Sequence, residues 1–460
     1  MNTKIVYPAY RDSGVPWAIK IPEHWRTAHL RYVACVSNGS TPSRDRIDYW
    51  NNGTVPWLAS GQVNDYVVRK AREFITPTAV LDTGLRLFAP GSVILGMVGQ
   101  GKTRGMSAYL DIEATINQNL AGITPRSELN GRYLHYMLSA SYEFNRNYGR
   151  GGNQAALNCT IVGGFKVLLP SLGEQEKIVA YLRAQDARIA RFIKTKRELI
   201  GLLTEQKLRI VDHAVTRGLD ASVKLKPSGV EWLGEVPEHW EMLHIGSSVQ
   251  VVNGYPFDSE RFDPVIGYSL IRIRDLRRTE TEVKYNGLEV VEAVVDSGDL
   301  IVGMDGDFNV ARWKGGRALL NQRMCCLRPR TRVSAAYLEL VLPKALKFIN
   351  DMTLSTTVKH LASGDMKRLR FPVPDRDEQD RIVRYVSCAL VPIELAISNT
   401  EEEIKLIREY RDRLIFDVVT GQIDVRGWQP GPDDVVSDDD LAALGDDEVE
   451  PDEEGGDDDV

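Results

Sequence analysis

Apolar residues at seven-residue spacing dominate two stretches of the chain. From Glu174 to about Val215, Leu182, Ile189, Leu203 and Ile210 recur every seven or fourteen residues, with Phe192 and Leu199 on the adjoining seam and Gly201 as the only breaker. From Gln379 to Val419, Val386, Ile393, Ile407 and Leu414 keep the same register, with Ala396 beside them. Spacing of this kind predicts helices packed along a seam. Pro392 is expected to kink or delay the second helix, because it lacks an N–H and its ring meets the preceding turn. About 40 residues at 1.5 Å each gives a length of roughly 60 Å, more than one globule needs. The simplest prediction is that the two helices pair with each other, antiparallel, as a coiled-coil spacer whose length sets the distance between whatever it separates.

The stretches before the helices are patterned differently. Short apolar runs such as SVIL (92–95) and LIVGM (300–304) stand between turns rich in Gly, Pro and aromatics, and GRYLHYMLSA (131–140) has helical character. These predict compact α/β or mainly β globules. The chain is also written twice. SGVPWAIKIPEHW (13–25) and SGVEWLGEVPEHW (228–240) share eight of 13 positions, and PSLGEQEKIVAYL (170–182) matches PDRDEQDRIVRYV (374–386). TRGLD (216–220) matches TGQID (420–424), while PGSVILGMVGQG (90–101) lies opposite SGDLIVGMDGDF (297–308). A repeat of this length fixes the architecture: an α+β chain of two pseudo-repeated α/β domains and two long antiparallel helices. The expected boundaries are an N-terminal segment 1–25, a first domain 26–172, a first helix 173–217 and a connector 218–240. A second domain 241–374, a second helix 375–421 and a disordered acidic tail 422–460 complete the chain.

Charge changes this picture at one end only. The net charge is −7, yet from Gln429 to Val460 there are 15 acidic residues and no Lys or Arg. Removing those 15 from the chain's 64 leaves 49 acidic against 57 basic residues, a body of about +8. The tail has too little apolar surface to offset its ordering entropy. It reads as a solubilising segment or as a competitor with nucleic acid for the basic body. The five cysteines form no C-x-x-C pair, so neither a zinc site nor a disulfide framework is expected, and a reducing cytoplasm fits. No signal peptide or membrane span is expected.

Residues 96–103, GMVGQGKT, fill the phosphate-binding pattern G-x-x-x-x-G-K-[ST]. That pattern works when a strand runs into a glycine turn that opens a helix. The following TRGMSAYLDIEA is poor helix material, and the equivalent GMDGDFNV in the second copy has neither Lys nor Thr. The shared feature is therefore a strand and a glycine turn carrying variable side chains. On that turn stand Gln100, Lys102 and Arg104 in the first copy, and Asp307, Asn309, Arg312 and Lys314 on or beside it in the second. A later loop in each copy carries Arg150, Asn153 and Gln154, or Thr356, Thr357 and Lys359. Singly, each reads as a solvated loop residue. As a set of amide and basic side chains on glycine-rich turns they suit base edges and phosphates.

With these features assembled, the chain resembles the specificity subunit of type I restriction-modification systems. The resemblance is carried by WAIKIPEHW (17–25) and WLGEVPEHW (232–240), and by the P-x-x-x-E-Q-x-x-I runs Pro170–Ile178 and Pro374–Ile382, over everything but the acidic tail. It implies two target-recognition domains, each reading one half of a split double-stranded DNA target. It also implies docking of two modification subunits that methylate adenine, and of restriction subunits. S-adenosylmethionine, ATP and Mg2+ would then sit on those partners, with no cofactor, metal or catalytic residue on this chain. No N-P-P-[FYW] or D-P-P-[FYW] run is present, and His24 and His239 are expected to pack beside Trp25 and Trp240. Two other readings stand beside this one, a P-loop nucleotidase using GMVGQGKT and a scaffold that only assembles proteins.

Overall fold

The computed structural model describes residues 6–99, 102–148, 156–352, 360–432, 434, 436, 441 and 444. The chain divides into two units, residues 1–199 with 400–460, and residues 200–399. In unit 1 the strand Arg26–His29 pairs antiparallel with Lys166–Leu169, so the first and last strands of the domain close on each other. Between them lies a five-stranded sheet in the order Ala34–Asn38, Leu120–Pro125, Val93–Gly96, Ser107–Leu110, Val67–Val68. The central run is unbroken in apolar character because both faces of the sheet are covered. Val93 and Leu95 point into one core, with Trp25, Tyr133 and Leu182, while Ile94 points into another with Leu58, Phe88 and Ile116. The period-two alternation of a strand thus serves two cores at once. Helix α1 (Gly131–Ala140) starts where Asn130 accepts hydrogen bonds from the N–H groups of Arg132 and Tyr133, a side-chain cap.

Unit 2 repeats this plan. Glu241–His244 pairs with Arg370–Val373, and a four-stranded sheet runs in the order Val249–Asn253, Met324–Pro329, Leu300–Gly303, Val310–Arg312. Leu300 and Val302 face one core and Ile301 the other, as in unit 1.

Each long helix gives one part of its length to each unit. These are α2 (Leu172–Arg217) and, after α3 (Ala335–Met352), α4 (Arg376–Val419). In unit 1 the two run antiparallel, Lys196 meeting Glu403 and Asp186 meeting Arg411. In unit 2 Lys207 pairs with Glu394. Of the seam residues, Leu182, Ile189 and Leu414 are buried in unit 1 and Val386 and Ile393 in unit 2, while Leu203, Ile210 and Ile407 are half-buried. Phe192 and Leu199 depart from expectation: each is 40% exposed, so the adjoining seam is open on that side. Pro392 does not delay α4, which begins well before it and continues through it. Pro392 and Cys388, one turn earlier, are both exposed, so the hydrogen bond the proline removes can be replaced by water.

The second helix is more apolar than expected, and one boundary beyond it is corrected. The most apolar 18-residue window of α4 reaches a mean hydropathy of 1.3. It is more span-like than expected because α4 is apolar both along the seam and on an outer face, where Val391 and Leu395 are exposed. Residues 422–432, assigned above to the tail, are packed. Val425 enters the core of unit 1, and Trp428 meets Tyr181 edge-on at 5.5 Å. The acidic residues after Leu444 lie outside the described residues.

Candidate nucleic-acid interface

The two repeated signatures meet in space, and their meeting explains both. In unit 1 Glu174 accepts hydrogen bonds from Trp25 Nε1 (3.0 Å) and the Tyr7 hydroxyl (2.6 Å), and its other oxygen lies 3.0 Å from His24 Nε2. Gln175 donates to the Glu128 and Pro170 carbonyls and accepts from the N–H of Asn130. Unit 2 repeats the His–Glu and Gln contacts, but Trp240 Nε1 is buried with no hydrogen-bond partner among the described residues. His239 Nε2 lies 2.8 Å from Glu378, and Gln379 donates to the Arg332 and Pro374 carbonyls while accepting from the N–H of Ser334. In both units the Gln ties the helix start to the globule and the Glu ties it to the His of the head, and in unit 1 Trp25 adds a further bond. His24 and His239 are thus part of the framework. Each helix ends in a glycine with φ near +74°, Gly218 and Gly421. A Cβ on Gly421 would stand 2.3 Å from Pro22, and one on Gly218 3.3 Å from Trp240.

On this framework the polar turns come together in pairs. In unit 1 the strands Val93–Gly96 and Ser107–Leu110 form an antiparallel hairpin, and GMVGQGKT supplies the end of its first strand and most of its turn. No helix follows, so the dipole and N–H cradle of a phosphate loop are missing. Gly96 is needed for another reason: a Cβ there would stand 2.3 Å from the Thr103 carbonyl oxygen. Met97 on this turn accepts a hydrogen bond from the N–H of Leu157, which brings the later loop alongside. Lys102 is exposed, and its carbonyl accepts from the Tyr142 hydroxyl, to which Arg146 also donates. Arg146 escaped the sequence reading because it sits on a short helix, Tyr142–Asn147, outside the turn pattern.

In unit 2 the N–H of Leu361 donates to the Met304 carbonyl at the equivalent place. Asp305 holds His360 Nδ1 at 2.6 Å and accepts from Arg323. Phe308 has φ +49°, a conformation bulky residues rarely adopt, and its full burial in the unit 2 core holds it there. Its neighbours Asp307 and Asn309 are exposed, and Asn309 Oδ1 accepts from Arg277. Arg312 and Lys314 do not join this turn. Arg312 lies opposite Leu300, at the far end of the hairpin, and binds Glu339 through two nitrogens. Lys314 follows beyond it, exposed. The spacing along the sequence missed this because a three-residue strand carries the chain away from the turn. Gln100, Arg150, Asn153, Gln154, Thr356, Thr357 and Lys359 lie outside the described residues.

Unit 1 also has a cleft of about 710 Å³ beside the hairpin, lined among others by Lys102, Tyr142, Arg146, Arg408, Arg411 and Leu444. At its base Arg411 donates to Asp186, which also accepts from the Tyr136 hydroxyl, and the guanidinium lies 4.5 Å from the Tyr66 ring centre. His135 stacks edge-on against Tyr66 at 4.3 Å and shares a hydrogen bond with Ser107. Burial, reinforced by Arg411 and Arg132, pushes the His135 imidazole down to about 3. It is therefore neutral when folded and takes up a proton on unfolding below about pH 6.5. The unfolded state then binds more protons, so this contribution is whole above pH 6.5 and is lost as pH falls towards 3. At pH 5 the loss is about 2 kcal/mol. Urea unfolding of the chain and of a His135→Asn variant should show the variant losing that much less between pH 7 and pH 5.

Comparison with known proteins fits this geometry. The family described as type I restriction modification DNA specificity domain matches residues 22–201 and 237–405. The type I restriction enzyme EcoBI specificity subunit of Escherichia coli is 31% identical over 204 residues, 44% of this chain and 43% of that one. That of EcoR124I/EcoR124II is 26% identical and aligned over 44% of its length. The chain thus spans less than half the length of these two relatives. The MjaIX specificity subunit of Methanocaldococcus jannaschii is 21% identical over 88% of this chain and 95% of that one. A solved chain from work on assembly and conformational transition of the type I R-M system covers 88% of this chain and 99% of its own, with a TM-score of 0.60 at 14% identity. That likeness concerns the fold.

Proposed function

The chain belongs to the type I restriction-modification DNA specificity family, and from that membership we propose that each of its two domains reads one half of a split duplex target. The observation that supports this most is the pairing of polar turns. In each unit the hairpin turn is bonded to the later loop at the same place, Met97 to Leu157 and Met304 to Leu361. Two such surfaces, differing in side chains on a shared framework, suit two different half-sites. Lys102 and Arg104 in unit 1, and Asn309 with Arg277 and Arg323 in unit 2, are the contacts we assign to DNA. Gln100, Arg150, Asn153, Gln154, Thr356, Thr357 and Lys359 complete the assignment from sequence. Basic side chains hold phosphates and set the register, while amides address base edges.

Catalysis belongs, in this reading, to partners. Modification subunits methylate adenine with S-adenosylmethionine, and restriction subunits use ATP and Mg2+. Their docking suits the long helices, where Leu202, Leu208, Val391 and Leu395 are apolar and exposed in unit 2, and Leu406 and Tyr410 in unit 1. Exposed apolar side chains on a helix of this sort suit protein partners.

Lys102→Ala tests the DNA assignment and the nucleotide alternative together. The variant should bind duplex more weakly, with the slope of log affinity against log salt reduced by about one. Titration of the unsubstituted chain with ATP should show no binding that depends on Lys102. An unchanged salt slope would remove Lys102 from the interface.

A further inference from the structure

Three described residues of the C-terminal segment have seats that a solubilising tail does not require. Asp434 has a side chain only 3% exposed, and its Oδ1 lies 2.9 Å from Arg188 Nε on α2. Leu441 is buried, and Leu444 lines the unit 1 cleft with Lys102, Arg146 and Arg408. Placing two leucines and a carboxylate in such seats is a cost that solubility alone does not call for. From these anchors the rest of the segment, residues 445–460, continues with ten acidic residues and no basic one. A strongly acidic segment tethered beside a basic hairpin has the charge pattern of the DNA backbone that the hairpin is assigned to hold.

We propose that the acidic segment is an internal competitor for DNA. It docks on unit 1 through Asp434, Leu441 and Leu444, and its carboxylates compete with phosphates for the Lys102 and Arg146 side of the cleft. Tethering gives the competitor a high effective concentration, so even weak attraction matters. Because both sides of the competition are charged, salt weakens it as it weakens DNA binding. Non-specific duplex, held by charge alone, is displaced more readily than a target that also makes base contacts. The segment would therefore sharpen the distinction between target and bulk DNA.

This inference rests on the DNA reading of unit 1, and the experiment separates the two. The probe is a fluorescein-labelled 30-base-pair duplex of mixed sequence, titrated at low and at near-physiological salt with three full complexes. One holds the whole chain, one a chain ending at Pro432, and one the whole chain with Leu441→Asp and Leu444→Asp. The last keeps every tail carboxylate and the Asp434 contact, adds two carboxylates, and removes the two leucine anchors. The expected result is binding tighter by roughly tenfold for the shortened chain at low salt, an intermediate gain for the anchor variant, and convergence of all three as salt rises. A synthetic peptide of residues 433–460 should weaken binding by the shortened chain. Equal affinities for all three complexes overturn the competitor role and leave the DNA reading standing. A duplex bound by none of them at any salt overturns the DNA reading, and this inference with it.

Discussion

Replacing residues 26–169 with the matching domain of a related subunit should change one half of the methylated sequence and leave the other half as it was. The structure makes this exchange feasible. The first and last strands of the domain, Arg26–His29 and Lys166–Leu169, pair with each other, so the graft brings both strands of its own closing ladder. One of its cores, around Leu58, Phe88, Ile94 and Ile116, lies wholly inside the exchanged segment. The graft must supply the apolar residues that share the other core with Trp25, Leu182 and Leu414, and partners for Gln175, which reaches the Glu128 carbonyl and the Asn130 N–H, and for Asp186, which accepts from Tyr136. Each mismatched base pair costs about 1–3 kcal/mol, so a few of them reduce the original half-site to background. Sequencing of modified bases in cells carrying the chimera reads the outcome. A change in both halves would show that the domains do not read independently.

The second large effect is on stability. Asp186→Ala should destabilise unit 1 by about 3–5 kcal/mol, because it leaves a buried guanidinium without its carboxylate. Arg411 is largely buried, and Asp186 is its bonded partner and that of Tyr136 as well. Removing both charges should be far milder, since a paired buried charge is not worth much more than a well-packed apolar replacement. Asp186→Leu with Arg411→Met is therefore expected to recover most of the loss. Urea unfolding of the single and double variants decides between this account and a purely local packing role for Asp186. In the packing account the double variant is the less stable of the two.

The helices and the duplication were legible because their signals are periodic and repeat along the chain. Leu182, Ile189, Val386 and Ile393 announced a seam by spacing alone. The E-Q and His-Trp signatures announced themselves by recurring, but not their reason, since Glu174 and His24 are 150 residues apart. GMVGQGKT shows why a short pattern misleads: its first glycine answers to the Thr103 carbonyl across a hairpin, a contact that no linear pattern encodes. Arg277, Arg323 and Arg146 were missed because they reach the turns from elements distant in sequence. Arg312 was included for its nearness in sequence, and Glu339 holds it elsewhere. The Asp186, Arg411, Tyr136, Tyr66 and His135 network joins five residues scattered over 346 positions. It has no counterpart at Leu390 or Lys207, the places the repeat assigns to Asp186 and Arg411.

The central claim, that this chain chooses a split DNA target for partner enzymes, is tested most directly by mapping modified bases in the host genome with and without it. Single-molecule sequencing of genomic DNA from the parent strain should reveal methylated adenine in one motif made of two short sequences separated by unspecified bases. Deleting only the coding sequence of this chain should abolish methylation at that motif and leave every other methylated motif intact. Restoring it should bring the same motif back. A methylome that is identical with and without the chain, in cells that make both it and its modification subunits, would contradict the account.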